Sequence, residues 1–146
     1  MPDPNNYLLG TSHLEIARLR KQAAIFASET ATLLDRIGVQ HHWHAIDVGC
    51  GPIGILNLLC DRIGISGSVV GVDANAEMLD VAKTITSESG NNIRLIHADA
   101  RATGLPRDSF DLVHERLVLI NVPDPERVVE EMVGLASRRG CGSTRC

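Results

Sequence analysis

The run Ala45-Ile46-Asp47-Val48-Gly49-Cys50-Gly51-Pro52-Ile53-Gly54 constrains this chain more than any other stretch. A short apolar strand passes into a glycine turn and then into a helix, with an acid two residues before the first glycine. Glycines at 49 and 51 suit a turn where a ligand lies against bare backbone, because a Cβ would block the approach. The helix that follows is expected to aim its first N–H groups at the same spot. Read alone, Gly49-x-Gly51-x-x-Gly54 matches a dinucleotide fingerprint of low specificity. Asp47 changes that reading. A carboxylate at the lip of the turn repels a pyrophosphate and attracts a ligand carrying an ammonium and a sulfonium. Pro52 agrees, since it removes an N–H that a phosphate would use.

The next elements supply the rest of a nucleoside pocket. Ser68 to Val72 is a β-rich run ending in Asp73, 22 residues beyond Gly51. That is close to the roughly 20-residue offset at which a Rossmann-type acid meets a ribose. A carboxylate there can accept from both ribose hydroxyls. A third strand, Ile93 to His97, leads to Ala98-Asp99-Ala100, placing Asp99 just past its carboxyl end, where it could accept from an adenine amino group. Each acid has a plainer role open to it. Asp47 can cap the turn's own N–H groups, and Asp99 can cap the short turn into Ala102. Met78 and Leu79 serve equally as core or as cover for an adenine.

Asp47-Val-Gly-Cys-Gly, Val-Val-Gly-Val-Asp73 with Met78-Leu79 following, and His97-Ala-Asp99-Ala together resemble the class I S-adenosylmethionine-dependent methyltransferases. The resemblance continues through Ser109-Phe110-Asp111-Leu112-Val113-His114 and Asn121-Val122-Pro123-Asp124-Pro125, and covers residues 45 to 133. Tyr7-Leu8-Leu9-Gly10, Glu15, Arg18-Leu19 and Gln22 are similar to the entry segment of bacterial small-molecule methyltransferases of this class. The resemblance implies an α/β, Rossmann-like, doubly wound parallel sheet, here its first four strands behind an N-terminal helical segment. It implies S-adenosylmethionine as cofactor and a small-molecule methyl acceptor. Asp47, Gly49, Cys50, Gly51, Asp73, Ala74, Met78, Asp99, Ala100 and Glu115 would then face the cofactor. His114, Glu115 and Arg116 leave strand four beside the methyl group, unless Glu115 and Arg116 merely pair with each other. Tyr7, Arg18 and Gln22 read as a solvated helix face, with a lid over the cofactor as the alternative. No general base can be named.

The rest of the chain sets boundaries. Its 146 residues are one domain's worth, divided into a helical segment 1–44, a core 45–136 and a tail 137–146. A net charge of −4 argues against a nucleic-acid groove, and no apolar run approaches the ~18 residues that cross a bilayer. Met1-Pro-Asp-Pro-Asn-Asn lacks the form of a secretory signal, so the cytoplasm is the expected compartment. Cys50, Cys60, Cys141 and Cys146 show no zinc spacing; Cys50 is expected to be a small residue between glycines rather than a nucleophile. His41, His42 and His44 around Trp43 read as a connector, since adjacent histidines diverge.

Ser12-His13-Leu14-Glu15 reads as a capping box opening a helix, with a break near Ser28 and a stop at Gly38. Further helices are expected over about 52–63, 76–87 and 125–136, and strands at 45–48, 68–72, 93–97 and 110–114. Such alternation implies parallel pairing. The tail Ser137-Arg-Arg-Gly-Cys-Gly-Ser-Thr-Arg-Cys146 has no strand pattern, and a truncated or frame-shifted gene is the expectation. Strand four would then be an open sheet edge prone to self-association. Two other readings compete. A nicotinamide-dependent oxidoreductase lacks support, because Tyr7 is the sole tyrosine and no Tyr-x-x-x-Lys pair exists. A catalytically impaired remnant is the other.

Overall fold

The computed structural model describes residues 13–86 and 92–138. The chain runs α1 (His13–Ile37), β1 (His44–Val48), α2 (Leu56–Ile63), β2 (Ser68–Asp73), α3 (Ala76–Thr86), β3 (Ile93–His97), β4 (Leu112–Glu115) and α4 (Pro125–Leu135). The four strands form one parallel sheet in the order β3-β2-β1-β4, with β1 between β2 and β4. A sheet whose order reverses beside its first strand leaves a crevice at the carboxyl ends of β1 and β4, and ligands settle there.

The central strands β1 and β2 are mostly apolar on both faces, as strands of a parallel sheet covered on both sides require. Ala45 and Val69 turn to one side, where Leu34 of α1 and Leu56, Leu59 and Ile63 of α2 bury them. Ile46, Val48, Val70 and Val72 turn to the other, against Phe110, Val128 and Leu135. Fully buried side chains of this size contribute about 1.5–3 kcal/mol each.

Three elements differ from the sequence expectation. α1 is continuous through Ser28, because its buried residues Thr30 and Leu34 lie beyond that point and reward continuation. Ser12 lies outside the described residues, while Glu15 binds the Arg18 guanidinium at 2.6 Å. α2 begins at Leu56, not near Pro52. The left-handed backbone of Gly51 (φ +57°) extends the turn and postpones regular helix. β4 begins at Leu112, and Phe110 instead forms a parallel bridge with Ala136. The Ser137 N–H donates to the Phe110 carbonyl at 2.7 Å, so the residues after α4 lie against the segment that leads into β4. Among the described residues no further strand pairs with the outer edge of β4.

Candidate functional site

β1 ends in the glycine turn, and two carboxylates hold that turn. The Gly51 N–H donates to Asp73 Oδ2 at 2.8 Å, and the Asn75 N–H donates to Asp73 Oδ1 at 2.9 Å. Asp73 thereby ties the end of β2 to the turn after β1. The Ile55 N–H points at Asp47 Oδ2 at 3.4 Å, and the Cys50 N–H donates to the Val72 carbonyl at 2.9 Å. The amides of Gly51, Ile55 and Cys50 are thus occupied by two acids and a carbonyl. Those three amides are therefore not offered to a pyrophosphate.

Asp47 is 3% exposed and carries a second partner. His114 Nδ1 lies 2.9 Å from Asp47 Oδ1, the two residues being register neighbours across β1 and β4. A carboxylate only accepts, so the imidazole proton sits on Nδ1. Burial pushes the Asp73 carboxyl above its ordinary range. The Asn75 and Gly51 N–H bonds pull it partly back, and the neighbouring charge of Asp47 adds to the upward push. Cys50 is buried, and burial together with Asp47 and Asp73 pushes its thiol far above the range where a thiolate forms.

A cavity of about 300 Å3 opens at this corner of the sheet, at the lower end of ligand-site sizes. Asp47, Gly49, Cys50, Gly51, Asp73 and Met78 all line it. Gly49 (φ +69°) and Gly51 (φ +57°) both adopt left-handed backbone, for different reasons. A Cβ at 49 would strike Val118, whereas a Cβ at 51 would meet nothing within 4 Å and so occupy the cavity itself.

The other sequence-derived candidates lie outside the cavity lining. Ala74 is exposed, and its carbonyl meets His97 Nε2 at 2.8 Å. Asp99 is engaged with the Arg101 guanidinium at 2.8 Å and bridges to Ala102 beside Ala100, the turn-capping alternative. Glu115 Oε2 accepts the Val118 N–H at 2.9 Å, which shapes the loop after β4. Glu115 and Arg116 do not pair with each other. Arg116 Nη1 donates to Thr30 Oγ1 at 3.2 Å, and its guanidinium lies 5.5 Å from the centre of the Phe26 ring.

Arg18 and Gln22, expected on a solvated helix face, both line the cavity with Leu19 and Ala23. Their spacing of three and four residues, which puts them on one stripe of α1, was the available signal. Tyr7 lies outside the described residues. The histidines near Trp43 do not converge: among the described residues no group of three or more potential metal ligands occurs, and His44 Nδ1 meets Ser68 Oγ at 2.7 Å. No helix among the described residues is long and apolar enough to cross a membrane.

Known proteins resemble this chain in both sequence and fold. It is 34% identical over 108 residues to a demethylmenaquinone methyltransferase of Anoxybacillus flavithermus, covering 73% of this chain and 46% of the relative. It is 36% identical over 101 residues to the protein of the same name from Geobacillus stearothermophilus, covering 68% of this chain and 43% of that one. The chain thus spans less than half the length of these curated relatives. A solved structure of a SAM-dependent methyltransferase from Aquifex aeolicus superposes with a TM-score of 0.67 at 22% identity, over 73% of this chain and 57% of the other, and so shares the fold. The methyltransferase domain family matches residues 46–141, from the strand before the glycine turn to beyond α4. With most of its length inside that match, the chain belongs to the methyltransferase domain family, whose implied cofactor is S-adenosylmethionine.

Proposed function

We propose that the cavity at the glycine turn binds S-adenosylmethionine, and that the protein uses it to methylate a small-molecule acceptor. The observation that carries this reading is the placement of Asp47 and Asp73 on the turn, where they consume its amides and present negative charge. Such a turn disfavours a pyrophosphate and suits a ligand whose charged end is an ammonium and a sulfonium. The clearance at Gly51 supplies the cradle. Asp73 retains oxygen lone pairs beyond its two amide bonds and would accept from ribose hydroxyls. Met78 would cover the base, and Asp47 would balance the cationic end.

When bound, the cofactor supplies an electrophilic methyl group on its sulfonium. The chain's contribution is to hold nucleophile and methyl in line, which alone can supply roughly 7–11 kcal/mol. Arg18, Leu19, Gln22 and Ala23 bring α1 over the cavity, so that helix would act as its cap. The demethylmenaquinone named for the relatives is one member of the acceptor class we propose.

Calorimetric titration with S-adenosylhomocysteine and with NAD tests the reading. Preferential NAD binding overturns it. Asp73→Ala should weaken S-adenosylhomocysteine binding by about 1.5–3 kcal/mol, while Asp80→Ala, on the exposed side of α3, should leave it unchanged. Equal effects of the two substitutions would mean that Asp73 does not touch the ligand.

We also propose that copies of this chain associate through the outer edge of β4. Among the described residues β4 pairs only with β1, and the Ala136 bridge covers only the Phe110 end. Light scattering over a concentration series tests this. A monodisperse monomer at every concentration sinks it.

A further inference from the structure

Among the described residues lining the cavity, Arg116 is the cation without a carboxylate partner. Arg18, the other guanidinium in the lining, is already held by Glu15 in a contact of 2.6 Å. Among the described residues no carboxylate pairs with Arg116, although it is only partly exposed. Its neutral contacts hold it in place without neutralising it. Thr30, buried on α1, accepts one N–H, and the face of Phe26 lies beneath the guanidinium plane. A guanidinium has five N–H donors, and one such bond leaves most of them unused.

The backbone that carries it is also specified. Leu117, next along the chain, sits in the left-handed region at φ +65°, a strained conformation for a non-glycine residue. Glu115 accepts the Val118 N–H at 2.9 Å, and the Asn121 side-chain amide donates to the Leu117 carbonyl at 2.7 Å, so the loop is locked on both sides of the strained residue. Backbone strain braced in this way fixes the direction in which Arg116 leaves β4. The same cavity holds Asp47 and Asp73 in its lining, so it carries both signs of charge.

We infer that Arg116 docks a carboxylate inside this cavity, its planar fork matching the two carboxylate oxygens. The inference rests on the proposed S-adenosylmethionine site. The carboxylate has two sources: the amino-acid end of the cofactor, opposite the ammonium that Asp47 would balance, or an acidic acceptor.

The experiment uses the full chain, Arg116→Met, which keeps the stem over Phe26, and Arg116→Lys, which keeps the charge but loses the fork. S-adenosylhomocysteine and 5′-methylthioadenosine, which lacks the amino-acid end, are titrated into each, and benzoate and benzamide are titrated into the S-adenosylhomocysteine complexes. Thermal melts report folding. If the cofactor is the source, Arg116→Met loses about tenfold or more in affinity for S-adenosylhomocysteine and none for methylthioadenosine, with Arg116→Lys between. If the acceptor is the source, nucleoside affinities stay level. Benzoate then binds the wild-type complex and not the Arg116→Met complex, and benzamide does not distinguish them. Equal loss for both nucleosides makes Arg116 a structural tie and overturns the inference, as does an Arg116→Met chain that matches wild type for all four ligands. Should Arg116→Met fail to fold, Arg116→Lys decides by the same ratios. A wild-type chain that binds neither nucleoside defeats the cofactor reading itself, and the inference with it.

Discussion

His114 and Asp47 meet across the sheet at 2.9 Å, as register neighbours on β4 and β1, although 67 residues separate them in the chain. The bond leaves Asp47 with one oxygen on the imidazole and the other turned to the Ile55 N–H at 3.4 Å. The orientation of the acid at the glycine turn is therefore set from the neighbouring strand. Leucine at 114 would strand a buried carboxylate oxygen. His114→Leu should cost about 1–3 kcal/mol in stability, and His114→Asn, which keeps a donor near Nδ1, should recover part of it. Urea denaturation measures both. A His114→Leu chain as stable as wild type would show that Asp47 does not depend on this bond.

Alanine at the two turn glycines should separate stability from binding. Gly49→Ala combines left-handed strain with a collision against Val118, and should cost about 2–5 kcal/mol. Adding Val118→Ala should relieve the collision and leave the strain. Gly51→Ala carries the strain alone, about 1–2 kcal/mol, but sets its methyl in the cavity. Its affinity for S-adenosylhomocysteine should fall further than its stability. Melting curves and titrations on the same preparations make the comparison, and equal behaviour of the two variants refutes it.

Cofactor affinity should be lost on acidification earlier than an ordinary carboxylate would lose it. Burial raises the Asp73 carboxyl, so the folded chain holds that proton at a pH where the unfolded chain has released it. The sign for stability is a penalty that grows as pH rises from the ordinary value to the raised one and is constant above. For the ligand the sign is opposite, because a protonated carboxyl accepts poorly from two hydroxyls. Titration of S-adenosylhomocysteine from about pH 7 down to about pH 4 should show the loss in wild type and a flatter profile in Asp73→Asn. Parallel profiles would remove Asp73 from ribose recognition.

Glu131 should anchor the loop before β4. Burial works against its ionised form, but the Thr103 hydroxyl at 2.6 Å, the Thr103 N–H at 3.0 Å and the Arg107 guanidinium at 2.7 Å outweigh it, and its carboxyl stays below the ordinary range. Its contribution is present above the unfolded value and disappears as pH falls through the lowered one. Glu131→Gln should cost about 1–3 kcal/mol near neutral pH. Gly134→Ala should act on the same network from the other side, since a Cβ there meets the Arg107 guanidinium. Denaturation of the double variant checks the coupling: strict additivity would mean that Gly134 and Glu131 do not share Arg107.

What could be read directly from the residues was whatever depends on local backbone and short periods. The apolar runs at Ala45–Val48 and Ser68–Val72 announce strands buried on both faces, and Gly49 and Gly51 announce left-handed turn positions, because only glycine adopts them freely. Asp73 was legible by its distance along the chain from the turn. Asp99 is engaged locally, its carboxylate held by Arg101 two residues on, and it lies outside the cavity lining. Only the tertiary structure decided which amides the acids would occupy, because the register of β1 on β4 brings His114 to Asp47 and the reach of β2 brings Asp73 to Gly51. It also decided that α1 would lie with Arg18 and Gln22 over the cavity and Thr30 under Arg116. Those contacts join residues far apart in sequence, and their energies come from packing helices on a finished sheet, which no local pattern encodes.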